Sequence, residues 1–191
     1  MAFPRSGTVD TQTFSGTKDF IFAHVSALVN SNIGAADHIQ FNTVDFSRPV
    51  VGASDPSGAQ QGTAITLDTT TNYTNTSGVA SIGRFTVRGG KLYKLECSPG
   101  YVLFSGATGL LSLQWFDVTT GSGVALGQPQ SIYAMTDASN DGASGDLWTM
   151  YNPGGGQNDL FLLEVQITVA TALTSIGNTA KGLPTVLVET Y

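Results

Sequence analysis

The stretch Leu160–Val169 alternates strictly, with Phe161, Leu163, Val165, Ile167 and Val169 on one phase and Glu164, Gln166 and Thr168 on the other. A period of two sends successive side chains to opposite sides of an extended backbone, so this segment is expected to be a strand with one buried face. Five apolar side chains on one face need a second layer to cover them. The same short alternating segments, separated by Gly, Ser, Thr, Asn and Asp turns, recur along nearly the whole chain. No segment sustains a helical apolar period. The chain is therefore expected to be all-β.

Phe20–Leu28 is apolar on both phases, Phe20, Phe22 and Leu28 against Ile21, Val25 and Ala27, the pattern of a strand covered on two faces. Ile39 and Phe41 hold one phase and Val44 and Phe46 the other, which predicts a bulge or bend at Asn42-Thr43. Arg84–Val87, Gly89-Gly90 and Lys91–Cys97 read as a hairpin. Further strands are expected at Ile65–Leu67, Tyr101–Phe104, Leu111–Val118, Ser131–Met135, Leu147–Tyr151, Leu173–Ile176 and Thr185–Tyr191. About eight to ten strands with turns at this spacing imply a two-sheet antiparallel sandwich or jelly roll. Residues 1–18 are polar and interrupted by Pro4, Gly7 and Gly16. They predict a short extended N-terminal arm ahead of a single domain over 19–191, and no secretory leader.

The polarity of the chain narrows what it does. Charged residues make up 12% of its 191 residues, against roughly 25% in ordinary soluble domains. A surface so poor in charge is expected to be partly covered by copies of itself or by a partner. The formal net charge of −6 argues against a nucleic-acid partner, which needs a basic stripe to displace counterions. Arg84, Arg88, Lys91 and Lys94 form a local basic cluster, with no aromatic platform beside it for bases to stack on. No apolar run approaches membrane-spanning length, so no membrane partner is expected. Cys97, the sole cysteine, shares a phase with Tyr93 and Leu95 and reads as a small core residue.

Signs of chemistry are sparse. Asp137, Ser139 and Asp141 place oxygen donors at alternating positions before Gly142, a weak calcium pattern. Trp148 stands where the bidentate acid of a helix-flanked calcium loop belongs, and such strings serve commonly as plain turns. His24 lies inside an apolar run and reads as a satisfied interior histidine rather than a metal ligand. Glu96, Asp117, Glu164 and Glu189 alternate with apolar neighbours, which makes them outward strand carboxylates before it makes them a catalytic acid and base. Trp115, Trp148, Tyr151 and Tyr191 suit either sugar stacking or anchoring in core and subunit interface. No nucleophile, base and oxyanion donors assemble, and the chain is not expected to be an enzyme or to carry a cofactor.

Asp37-His-Ile-Gln-Phe41, Gly83-Arg-Phe-Thr-Val87 leading into Gly90–Glu96, Leu113–Thr119 with Ala125-Leu-Gly127, Leu173–Gly177 and Thr185–Glu189 together resemble the tumour-necrosis-factor-like, or complement globular-head-like, jelly rolls of tailed-bacteriophage virion proteins. The resemblance implies a ten-stranded jelly roll assembled as a tight homotrimer. It places Phe22, Phe161, Leu163, Val186, Val188 and Tyr191 among core or trimer-axis residues. Phe3 and Phe14, the isolated aromatics of the arm, are expected to contact the capsid or neighbouring trimers. The function it implies is that of a capsid decoration, or cement, protein on the outer capsid surface of the virion, gripping the major capsid protein lattice. The alternative is a tail-fibre or spike head that recognises a host receptor or glycan.

Overall fold

The computed structural model of the protein describes residues 19–26, 34–35, 37–48, 65–69, 73–74, 80–81, 83–105, 108–121, 123–133, 141–142, 145–156, 158–177 and 181–191. Along the chain lie β1 (Phe20–His24), β2 (Thr43–Arg48), β3 (Ile65–Asp68), β4 (Tyr73–Thr74), β5 (Ala80–Ser81), β6 (Arg84–Arg88), β7 (Tyr93–Ser98) and β8 (Val102–Phe104). They are followed by β9 (Leu110–Asp117), β10 (Val124–Tyr133), β11 (Asp141–Gly142), β12 (Leu147–Tyr151), β13 (Leu160–Thr171), β14 (Leu173–Ile176) and β15 (Thr185–Thr190). None of the described residues is helical.

Two five-stranded antiparallel sheets carry the fold. The first runs β12, β7, β15, β1, β2 and the second β10, β9, β13, β6, β3. Most neighbours within each sheet are distant in sequence, so the chain passes back and forth between layers. This is a two-sheet antiparallel jelly roll. A three-stranded sheet of β11, β8 and β14 and a ribbon of β4 and β5 complete the pairing.

Alternation decides which side chains enter the core. Tyr93, Leu95 and Cys97 of β7, Val186 and Val188 of β15, and Leu163, Val165 and Ile167 of β13 are buried between the two sheets. Each large side chain so buried contributes about 1.5–3 kcal/mol. An aromatic file crosses the interior: Phe41 and Phe85 have ring centroids 5.9 Å apart, Phe85 and Trp115 6.0 Å apart, both tilted as the ring quadrupoles favour. Val169 departs from the expected stripe. The ladder to β9 shifts register between Ile167 and Val169, and the bulge turns Val169 outward, 37% exposed.

The predicted bend at Asn42-Thr43 is where the chain changes sheets. His38 bridges Gln166 of β13 and the Ile39 amide donates to the Val165 carbonyl at 2.9 Å, both on the second sheet. One residue beyond Asn42, β2 pairs with β1 on the first.

The predicted Arg84–Cys97 hairpin is not formed. β6 pairs with β13 and β3, whereas β7 pairs with β12 and β15, so Gly89-Gly90 is an arch between layers. A Cβ on Gly89 would lie 2.5 Å from the Gly156 carbonyl oxygen and 2.6 Å from that of Gly154. The Tyr93 hydroxyl closes the arch, donating to the Arg88 carbonyl at 2.7 Å and accepting from the Arg88 amide at 3.0 Å. Burial pushes the Tyr93 phenol up to about 12, against the opposing bond from the Arg88 backbone. Of the weak strand expected at Ser131–Met135, residues 131–133 are the end of the longer β10, and 134–135 lie outside the described residues.

Candidate functional site

The side of the first sheet that faces away from the core is the part of the surface with unusual chemistry. Cross-strand register sets Phe46, Phe22, Leu187, Glu96 and Trp148 in one row spanning β2, β1, β15, β7 and β12. The next row contains Phe20, Glu189, Lys94 and Met150. Phe46 is 67% exposed and Trp148 64%. Phe22 and Phe46 have ring centroids 6.4 Å apart at 34°. Lys94 and Glu96 pair at 2.6 Å between the two apolar edges, and the Glu96 carboxylate holds the Lys94 ammonium above its ordinary range.

Both phases of β1 are apolar, yet the described residues cover only one of them. The inner phase, Ile21 and Ala23, is buried in the core, and the outer phase, Phe20 and Phe22, is half-buried with no layer of described residues over it. His24 lies on this outer phase and not in the interior. Its Nδ1 sits 2.8 Å from Asp45 Oδ2.

The residues that the sequence set apart are distributed unevenly. Leu163, Val186 and Val188 are buried in the core and Phe161 packs against it half-buried. Phe22 is on the outer face, and Tyr191 is 72% exposed just beyond β15, where its amide donates to the Leu92 carbonyl at 2.8 Å. Phe3, Phe14, Asp137 and Ser139 lie outside the described residues, as does the Asp141 side chain. Among the described residues no group of three or more His, Cys, Asp or Glu side chains is gathered to hold a metal ion. No helix among them is long and apolar enough to cross a membrane.

The basic cluster is divided by the arch. Arg84 lies on the second sheet, its Nε donating to Glu164 Oε2 at 2.7 Å, while Lys94 lies on the first. Glu164 is 3% exposed, not an outward carboxylate, and Gln166 Nε2 donates to its other oxygen at 2.6 Å. Asp117 accepts from the Thr119 hydroxyl and the Tyr151 hydroxyl, each at 2.5 Å, and from the Thr119 amide at 2.9 Å. Burial works against the Asp117 carboxylate, yet these bonds together hold it below its ordinary range. Burial and the Asp117 contact push the Tyr151 phenol up. Each of these carboxylates is engaged in joining strands, which is structural work.

The aromatic face drew only partial notice from sequence. Phe22 was legible through the double apolar phase of β1. Phe46, Leu187 and Trp148 stand on three other strands, and cross-strand register alone brings them into the same row.

No protein-family model matches the chain, and no curated protein matches it significantly. Among solved structures, the globular domain of zebrafish complement 1qA protein is similar at 10% identity, with a TM-score of 0.40 over 91% of this chain and 94% of that one. The PRD1 vertex protein P5 is similar at 12% identity and a TM-score of 0.39, over 91% and 95%. The CBM22-1 xylan-binding domain of Paenibacillus barcinonensis Xyn10C is similar at 13% identity and a TM-score of 0.30, over 68% and 86%. These likenesses are weak and none supplies a function.

Proposed function

We propose that the protein is a homotrimeric capsid decoration protein of a bacteriophage, seated on the outer surface of the major capsid protein lattice and stabilising the head. The observation that carries this reading is the aromatic edge of the first sheet, where Phe20, Phe22, Phe46 and Leu187 sit on β1, β2 and β15 with no covering layer among the described residues. Burying such a patch against equivalent copies removes it from water at roughly 25 cal/mol per Å². A closed ring satisfies every copy's patch. The low charge content and the jelly roll are in keeping with it, and the resemblance of the sequence motifs supplies the phage context and the three-fold order.

In this reading residues 19–191 form one jelly-roll domain and residues 1–18 an arm that contacts capsid or neighbouring trimers through Phe3 and Phe14. The role is mechanical, and the protein is not an enzyme. Three equivalent arms per trimer add weak contacts by avidity, so the knob grips its lattice point against the pressure of packaged DNA without touching nucleic acid.

Copy number tests the role. Quantitative mass spectrometry of purified virions, referenced to the major capsid protein, is expected to find hundreds of copies; a few to a few dozen would place the protein at tail or vertex and favour receptor recognition. Deleting residues 1–16 is expected to leave trimers intact and to weaken co-sedimentation with undecorated capsids. Unchanged co-sedimentation would remove the arm from the mechanism.

A further inference from the structure

Between the outer edges of the two sheets, β10 and β12 enclose a groove of about 460 Å³, within the roughly 300–1,000 Å³ of small-ligand clefts. We propose that this groove binds a neutral saccharide, stacked on Trp148 and hydrogen-bonded by Gln128 and Gln130.

The platform is held by the strand beneath it. Leu147 and Thr149 are buried on the inner phase of β12, which forces Trp148 and Met150 outward. The large indole is 64% exposed on a hydrogen-bonded strand, and little conformational freedom of the backbone is lost when a ligand lies on it. An aromatic face of this kind suits the C–H face of a sugar ring, apolar in its middle and hydroxylated at its rim.

The opposite wall supplies the polar groups. Gln128 and Gln130 line the groove, and their amides both donate and accept, as vicinal hydroxyls require. The bulge that carries them is pinned: Gln114 Nε2 donates to the Gly127 carbonyl at 2.8 Å, and a Cβ at Gly127 would lie 2.6 Å from Thr149 Oγ1. Close packing of β10 on β12 thus fixes the floor. None of the described lining residues is ionisable, so they offer nothing to balance a charged ligand and favour an uncharged one.

A protein strand is a poor occupant. β10 and β12 are edge strands, but Pro129 lacks an amide N–H, and the β10 ladder is irregular between Leu126 and Gln130. Proline and bulges at an edge block strand addition. One strand, β7, with its Lys94–Glu96 ion pair, separates Trp148 from the apolar edge built on β15, β1 and β2.

The test uses the full chain and a panel of soluble glucose-, galactose-, mannose- and xylose-based oligosaccharides, with a sialylated oligosaccharide as the charged control. Tryptophan fluorescence is a specific readout because Trp115, the other tryptophan, is buried. At least one neutral probe is expected to perturb the emission saturably below about 10 mM. By titration calorimetry Trp148→Ala is expected to weaken that binding about ten-fold and the double variant Gln128→Ala, Gln130→Ala about five-fold or more, with the oligomeric state by light scattering unchanged in both. No binding across the panel, affinity undiminished in Trp148→Ala, or tighter binding of the sialylated control would each overturn the proposal. Loss of the oligomer in Trp148→Ala would also overturn it and make a second copy of this chain the occupant.

Discussion

Tyr151 at the end of β12 donates its hydroxyl to Asp117 at the end of β9 at 2.5 Å, tying an edge strand of the first sheet to a central strand of the second. Thr119 extends the tie, because its hydroxyl also accepts from the Leu162 amide of β13 at 2.9 Å. One carboxylate therefore registers three strands.

That tie makes stability depend on acid. The folded-state pKa of Asp117 is depressed, so its contribution is complete above the unfolded carboxyl range near pH ~4 and is lost as pH falls through the lower folded value. Tyr151→Phe is expected to cost about 1 kcal/mol at neutral pH and less as the solution is acidified toward pH ~2. Thermal unfolding of both proteins across that range measures the difference; a constant gap in melting temperature would dissociate the pair from the acid response.

Phe22 is the residue on which assembly should depend most. Phe22→Asp places a charge amid Phe20, Phe46 and Leu187 without disturbing the inner phase of β1, and is expected to weaken association at least about hundred-fold. Light scattering should find monomers whose far-ultraviolet circular dichroism matches the parent. A trimer that persists at micromolar concentration would move the interface elsewhere.

Gly89 has no room for a methyl group, since the Gly154 and Gly156 carbonyls would lie 2.6 and 2.5 Å from it. Gly89→Ala is expected to destabilise by about 2–3 kcal/mol, read as a lower urea midpoint with an unchanged slope. Gly121→Ala is the control. Its surroundings are open, and only its φ of 81° penalises a side chain, at about 1 kcal/mol.

Glu164 is nearly enclosed, with Arg84 as its cationic partner at 2.7 Å. Arg84→Met strands the carboxylate and is expected to cost about 3 kcal/mol, whereas adding Glu164→Leu is expected to restore most of that. A double-mutant cycle by urea unfolding measures the coupling. Additive losses would mean that solvent, not Arg84, stabilises the carboxylate.

Trp115 bears on how uniform the core is. Its ring is fully buried and its Nε1 has no hydrogen-bond partner among the described residues. A buried N–H without an acceptor costs about 1–3 kcal/mol. The same indole packs beside Phe85, ring centroids 6.0 Å apart, and fills core volume that a smaller side chain would leave empty.

Strand positions are largely legible in the sequence. Leu147–Tyr151 and Leu173–Ile176 coincide with β12 and β14, because alternation is a local property of adjacent residues. The Arg84–Cys97 hairpin failed because a Gly-Gly turn between alternating segments looks the same whether the chain returns beside itself or crosses to the other layer. The outward placement of Glu164 failed because Arg84 of β6 and Gln166 engage its carboxylate, and nothing near Glu164 in sequence announces the Arg84 contact.

The sequence by itself determined that this protein is all-β, where most strands run and which phase of each is apolar, since these follow from the period of two and the chemistry of the turns. Only the tertiary structure decided which strands are neighbours, which of the two phases faces the core, and which side chains share a row. The contacts that settle those choices join residues remote along the chain, Arg84 with Glu164 at a separation of 80 and Asp19 with Thr190 at a separation of 171. A local pattern specifies two faces of a strand, and the rest of the folded chain selects what lies against each.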